Sequence, residues 1–171
     1  MAPDDRDVLP ERLLSVLCIE DTEADFLLIE RTLRTSGLLG HCERVDCEEA
    51  VDAALRGRSW DVVLSDYAVP GMYFTDTLRR FHHHYPNLPL ILVSGTIGEV
   101  KASVMVEVGA WDYVPKSRLR RLVPAIKRAL ERAAAQKDRP PLAPDAPARP
   151  VSDPARPSGG WTARDDSTDL P

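Results

Sequence analysis

No stretch of the 171 residues approaches the length of a membrane span, and the N-terminus lacks the basic-then-apolar layout of a secretion signal. The expectation is a cytoplasmic protein without a membrane partner. A basic excess is missing as well. The net charge is −5, which argues against a nucleic-acid partner, because such binders usually carry a basic face. No glycine-rich loop follows the first apolar run, so nucleotide binding is unsupported. Only three cysteines occur. Cys18 lies inside an apolar run and reads as a small core residue. Cys42 and Cys47, beside His41, match no zinc spacing and lack a fourth ligand, so unpaired thiols in a reducing compartment are expected.

What is present is an alternation. At 43% hydrophobic and 29% charged, the chain has the composition of a globular protein, and its length allows one domain with a sizeable core plus tails. Residues 1–12 are polar and are expected to be disordered. From Leu13 to Ile19 runs a short apolar stretch, as in a strand buried on both faces. Ala24 to Ser36 has helical spacing, with Phe26, Ile29 and Leu33 on one face, and Gly37 is a natural stop. Leu39 to Val45 predicts a more polar strand at or near an edge, and Glu48 to Arg58 a second helix. Strands are predicted at Asp61 to Ser65, Pro89 to Val93 and Trp111 to Val114. Helices are predicted at Thr75 to Tyr85, at Glu99 to Val108 and from about Val123-Pro124 to Lys137. Residues 138–171 hold eight of the fifteen prolines and no apolar period, so a disordered or polyproline-like tail is expected, with Trp161 incidental to it. Five strand–helix units in 13–137 predict an α/β fold: a doubly wound, five-stranded parallel sheet with helices on both faces. Ligands of such sheets sit beyond the carboxyl ends of the strands, at the switch point.

Four groups fall at those ends. Glu20 and Asp21 follow the first strand, Asp66 the third, Ser94 the fourth and Lys116 the fifth. Adjacent acids repel unless a cation lies between them, and Mg²⁺ prefers a few carboxylates plus water and phosphate oxygens. Glu20, Asp21, Glu23 and Asp25 would equally favour a helix N-terminus. Asp66 is a candidate nucleophile toward a phosphoryl group. Alternatively it caps the turn before Pro70-Gly71. Ser94 can donate to a phosphoryl oxygen, and Lys116 is a point charge suited to phosphate. Each could be an ordinary loop residue alone, but all four at ends of strands in one sheet edge point to a site for Mg²⁺ and a phosphoryl group.

With these residues in place, the chain from about Leu13 to Ala135 resembles the receiver domain of two-component response regulators. The intervals carry the resemblance: 45 residues from Asp21 to Asp66, 28 on to Ser94 and 22 on to Lys116. It implies that Glu20, Asp21, Asp66 and the Ala68 backbone carbonyl hold Mg²⁺, and that Asp66 accepts phosphate from a phosphohistidine. Ser94 and Lys116 would bind the phosphoryl group, Pro70 matches a proline the family carries after the acceptor, and Tyr113 would be the switch aromatic. The partner implied is a sensor histidine kinase or a phosphotransfer protein. Leu92 to Glu99 and Asp112 to Lys116 look like a subgroup often paired with phytochrome-type kinases.

Some residues depart from the family pattern. Ser94 replaces the commoner threonine, and Gly95 stands where alanine is usual, which opens the site to water. Lys116 is followed by Ser117 rather than proline, which puts the family's cis peptide in doubt. Phe74 stands where glycine is usual, and a positive φ there would be costly. The Met72-Tyr73-Phe74 loop is therefore expected to differ in shape. Tyr73 and Phe74 would be tucked under the helix or exposed for a partner, and tucking is the expectation. His82-His83-His84 point in different directions on a helix and cannot converge on one ligand.

The resemblance implies a protein that catalyses only its own phosphorylation and dephosphorylation. Phosphorylation would draw Ser94 toward the new oxygens and let Tyr113 turn inward, biasing the face of the fourth helix, fifth strand and fifth helix. The expected output is a single-domain regulator acting through protein contacts, with a homodimer on that face as one form. The alternative is a non-phosphorylated interaction module that kept the fold. An aspartyl-nucleophile phosphatase is disfavoured because Ala68 stands where its second acid would be.

Overall fold

The computed structural model describes residues 13–137, without the side chains of residues 99 and 100. The disorder expected of 1–12 and 138–171, and the place of Trp161, lie outside the described residues. Five strands form one parallel sheet: β1 (Leu14–Ile19), β2 (Leu39–Val45), β3 (Val62–Ser65), β4 (Leu90–Ser94) and β5 (Asp112–Pro115). Their spatial order is β2-β1-β3-β4-β5, so the polar β2 is an edge strand as expected. The helices are α1 (Glu23–Thr35), α2 (Glu48–Gly57), α3 (Phe74–His84), α4 (Glu99–Glu107) and α5 (Leu122–Lys137).

Strand side chains alternate between two faces and so divide the core in two. Leu17, Ile19, Val63, Leu90 and Leu92 point to the layer of α2, α3 and α4, where they meet Val51, Leu78, Phe81 and Met105. Val16, Cys18, Leu64, Ile91, Val93 and Val114 point the other way, onto Ile29 and Leu33 of α1 and Ile126 and Ala129 of α5. Burial on both faces explains why these strands read as continuous apolar runs. Ile126 is fully buried, and its truncation to alanine would cost about 2–5 kcal/mol. At α1 the turn ends at Gly37, whose φ of 74° suits a residue without Cβ.

Boundaries differ from expectation by a residue at several ends, and one element was absent from the sequence reading. Lys116–Arg121 winds as a 3₁₀ turn joining β5 to α5, broken at Arg118. Its side chains are mostly exposed and basic, with only Leu119 packed against the α1–α5 layer, so no apolar period announces it. α3 starts at Phe74, one residue early, and α5 starts at Leu122, which keeps Pro124 in the first turn where a missing N–H costs nothing.

Candidate functional site

The topological switch lies between β1 and β3, whose neighbours are on opposite sides. Ile19 pairs with Ser65, and the Asp66 N–H donates to the Ile19 carbonyl at 2.9 Å. That register sets Glu20 and Asp66 side by side as the chain leaves the sheet. One strand further, Ser94 is the last residue of β4 and pairs with Pro115, so Lys116 emerges beside it. The sequence-predicted groups Glu20, Asp21, Asp66, Ser94 and Lys116 thus share one sheet edge.

The side chains converge on Lys116. Its Nζ donates to Asp66 Oδ2 at 2.8 Å and to Asp25 Oδ2 at 2.7 Å. Glu20 Oε2 is also 2.7 Å away, but it makes no directed hydrogen bond and is best described as an ion pair. Asp66 Oδ1 accepts the Tyr67 N–H at 2.6 Å. Burial pushes the Asp66 carboxyl up, but Lys116, Ser94 and the Tyr67 N–H outweigh it and hold the group below its ordinary value. For Glu20 burial wins, and its carboxyl is raised despite Lys116 and the Thr22 N–H. Lys116 is opposed by burial too, yet three carboxylates raise it well above an ordinary lysine, so it stays charged.

Oxygens of Glu20, Asp21 and Asp66 all lie within 4.8 Å of one another. An all-carboxylate set with one exposed member suits a hard cation that retains water, which is the preference of Mg²⁺. The residues fit the metal.

The family model described as the response regulator receiver domain matches residues 16–127, well over half of the chain. The chain belongs to that family. The curated relatives it matches include the DNA-binding transcriptional regulator NtrC of Salmonella typhimurium, 32% identical over 101 residues. NtrC of Proteus hauseri is 29% identical over 102. The matches cover 59% and 60% of this chain but 21% of each relative, so the chain spans about a fifth of their length. Among solved structures, NtrX from Brucella abortus superposes with a TM-score of 0.65 at 22% identity, covering 74% of this chain and 28% of that one. The signal receiver domain of an HD domain-containing protein from Pseudomonas fluorescens Pf-5 gives 0.64 at 24%, covering 75% and 94%. These two show the shared fold.

Other receiver positions behave variously. Ser94 is fully buried, with its Oγ 3.3 Å from Thr96 Oγ1. Tyr113 is half-buried, and its hydroxyl donates to the Ile97 carbonyl at 3.3 Å. Ala68 is exposed in the loop after β3. The positive φ of that loop falls at Gly71, 78°, in a turn closed by Met72 N–H to the Val69 carbonyl at 3.1 Å. Proline then glycine at the central positions is the pattern of a type II turn. Phe74 is therefore free to be helical. It is buried, with its ring 5.9 Å from that of Tyr67, whereas Tyr73 stays exposed. The tucking expected of both rings holds for Phe74 alone. The three histidines, all exposed, do not converge on one point: His82 Nε2 is 3.2 Å from the Gly109 carbonyl, while the His83 and His84 rings meet edge-on at 4.7 Å.

Asp25 was missed as a site residue. The sequence places it only among the acids that favour the helix N-terminus. No local spacing marks it, because Asp21 lies before the extended Thr22 cap and outside α1, and the contact to Lys116 spans 91 positions of sequence.

Proposed function

We propose that this receiver domain takes a phosphoryl group onto Asp66 from a phosphohistidine of a sensor histidine kinase or phosphotransfer protein. The single observation that carries the reading is Asp66 itself: a carboxylate held ionised beside a charged lysine and within 4.8 Å of two further acids. One Asp66 oxygen forms the new O–P bond. The P–N bond of the donor breaks and its electron pair passes to the imidazole nitrogen. Glu20, Asp21, Asp66 and the Ala68 carbonyl would hold Mg²⁺, which when bound screens the negative charge gathered between carboxylate and phosphoryl oxygens. Lys116 orients and neutralises a phosphoryl oxygen, and the Ser94 hydroxyl donates to another. Later attack of water on phosphorus returns the Asp66 carboxylate and inorganic phosphate. The protein is then no enzyme toward other substrates, since it catalyses only its own phosphorylation and dephosphorylation.

The output in this reading is a population shift. Ser94 moves toward the new oxygens, and Tyr113 gives up the Ile97 carbonyl and turns inward. The α4–β5–α5 face is thereby altered for a protein partner or a second copy. A phytochrome-type kinase is the first donor class to try, on the strength of Leu92 to Glu99 and Asp112 to Lys116. DNA binding is named for NtrC proteins of which the match spans a fifth, and it is not carried to this domain. Among the described residues no helix is long and apolar enough to cross a membrane.

The test is incubation with acetyl phosphate and Mg²⁺, followed by mass spectrometry of the intact protein. The expected result is a base-labile gain of one phosphoryl group that is absent in Asp66→Asn. No gain in the wild type, with no Mg²⁺ binding by calorimetry, would leave the non-phosphorylated module in its place.

A further inference from the structure

Lys116 makes two directed side-chain hydrogen bonds, one to Asp66 and one to Asp25. An ammonium has three donors and no acceptor, so what it touches is decided by which acids compete for those donors. Glu20 and Asp66 belong to the trio whose oxygens lie within 4.8 Å of one another, and both turn to other work when the site is loaded. Asp25 is outside that trio. It is the third residue of α1, about one-third exposed, and reaches Lys116 across 91 positions of sequence.

We propose that Asp25 is a positioning residue for phosphoryl transfer: it anchors the Lys116 ammonium over Asp66 while Glu20 and Asp66 are engaged by metal and phosphoryl group. This rests on the reading of Asp66 as phosphoacceptor. A free lysine side chain has four rotatable bonds and three equivalent donors, so it holds a geometry only when something fixes its end. The stem is already largely buried, the Lys116 side chain being 16% exposed. Asp25 supplies the remaining constraint at the tip. Through this bond the first turn of α1 and the 3₁₀ turn after β5 also report on the same ammonium. The ordinary alternative is that Asp25, like Glu23, only complements the helix dipole. That role predicts equal effects from neutralising either acid.

The experiment measures the rate of phosphorylation by acetyl phosphate at saturating Mg²⁺ in the wild type, Asp25→Asn, Asp25→Glu and Glu23→Gln, with Mg²⁺ affinity by calorimetry. The Lys116 side-chain amine is followed by nitrogen-15 NMR in the unphosphorylated protein. Expected are a rate about tenfold lower in Asp25→Asn, substantial recovery in Asp25→Glu and no change in Glu23→Gln. Mg²⁺ affinity stays within about twofold throughout, since Asp25 is outside the metal trio. The Lys116 ammonium signal, held in the wild type, broadens in Asp25→Asn. Wild-type uptake with an undiminished rate in Asp25→Asn, or an unchanged Lys116 signal, overturns the role of Asp25 alone. A wild type that takes up no phosphoryl group overturns the reading of Asp66 and this role with it.

Discussion

The two ends of the sheet are built on opposite principles. At the amino end, before β3 and β4, lies an open groove of about 570 Å³ lined by Leu55, Trp60, Tyr85, Leu88 and Leu130 among others. The carboxyl end is closed beneath the site. Beneath Asp66, Ile19, Met72 and Phe74 pack with essentially no space left for a water. Yet the acids and Lys116 gather at that end. Volume is what a small molecule needs, because its affinity comes from burying its own surface. A phosphoryl group delivered by another protein needs charge in fixed positions, and its binding surface comes with the donor. This groove is thus a poor guide to the chemistry here.

Separating the two ends by mutation gives the largest expected contrast. Asp66→Asn abolishes phosphoryl uptake while changing stability in urea by about 1 kcal/mol or less, because Lys116 keeps Glu20 and Asp25. Trp60→Ala does the reverse. It removes a buried ring and its bond to the Ala54 carbonyl, costs about 3 kcal/mol in urea, and leaves the phosphorylation rate of the folded protein unchanged. A slowed rate in the tryptophan variant would show that the two ends are coupled.

A smaller effect sharpens the electrostatic side of the contrast. The Glu20 carboxyl is raised by folding, so wild-type stability falls as pH rises from its unfolded value through its folded one. Asp66 is lowered, and its contribution is present above its unfolded value and lost as pH falls. Glu20→Gln should therefore raise the melting temperature at pH 7 without metal. That gain disappears below the ordinary carboxylate range, where Glu20 is protonated whether folded or not. Thermal melts from pH 3 to 7 read it, and a lower melting temperature at pH 7 would mean the Lys116 pairing outweighs burial. Smallest is Gly95→Ala. Its φ is not in the left-handed region and the added methyl only touches Lys116, so a gain of about 0.4–1 kcal/mol is expected, with slower loss of the phosphoryl group.

Most of this architecture is legible in the sequence. The runs ending at Ile19, Ser65, Ser94 and Pro115 are apolar because both faces of the sheet are covered, and that makes their carboxyl ends easy to read. Four of the site's elements follow from those ends. The turn after β5 was illegible because residues 116–121 have one anchoring apolar side chain, Leu119, and no period. The Phe74 loop was half legible: the cost of a positive φ at phenylalanine was clear, and Pro70-Gly71 takes that conformation in its own turn, but the burial of the Phe74 ring beside Tyr67 is a matter of packing.

By itself, then, the sequence determined the alternating elements, the parallel sheet and the placing of Glu20, Asp21, Asp66, Ser94 and Lys116 at its carboxyl edge, because side-chain period and strand ends are local properties. Only the tertiary structure decided that Asp25 shares Lys116 with Asp66 and that Phe74 lies against Tyr67 while Tyr73 faces solvent. The first rests on a contact between segments 91 positions apart and the second on packing into the core, where competition for one ammonium's three donors and burial settle what no local pattern encodes.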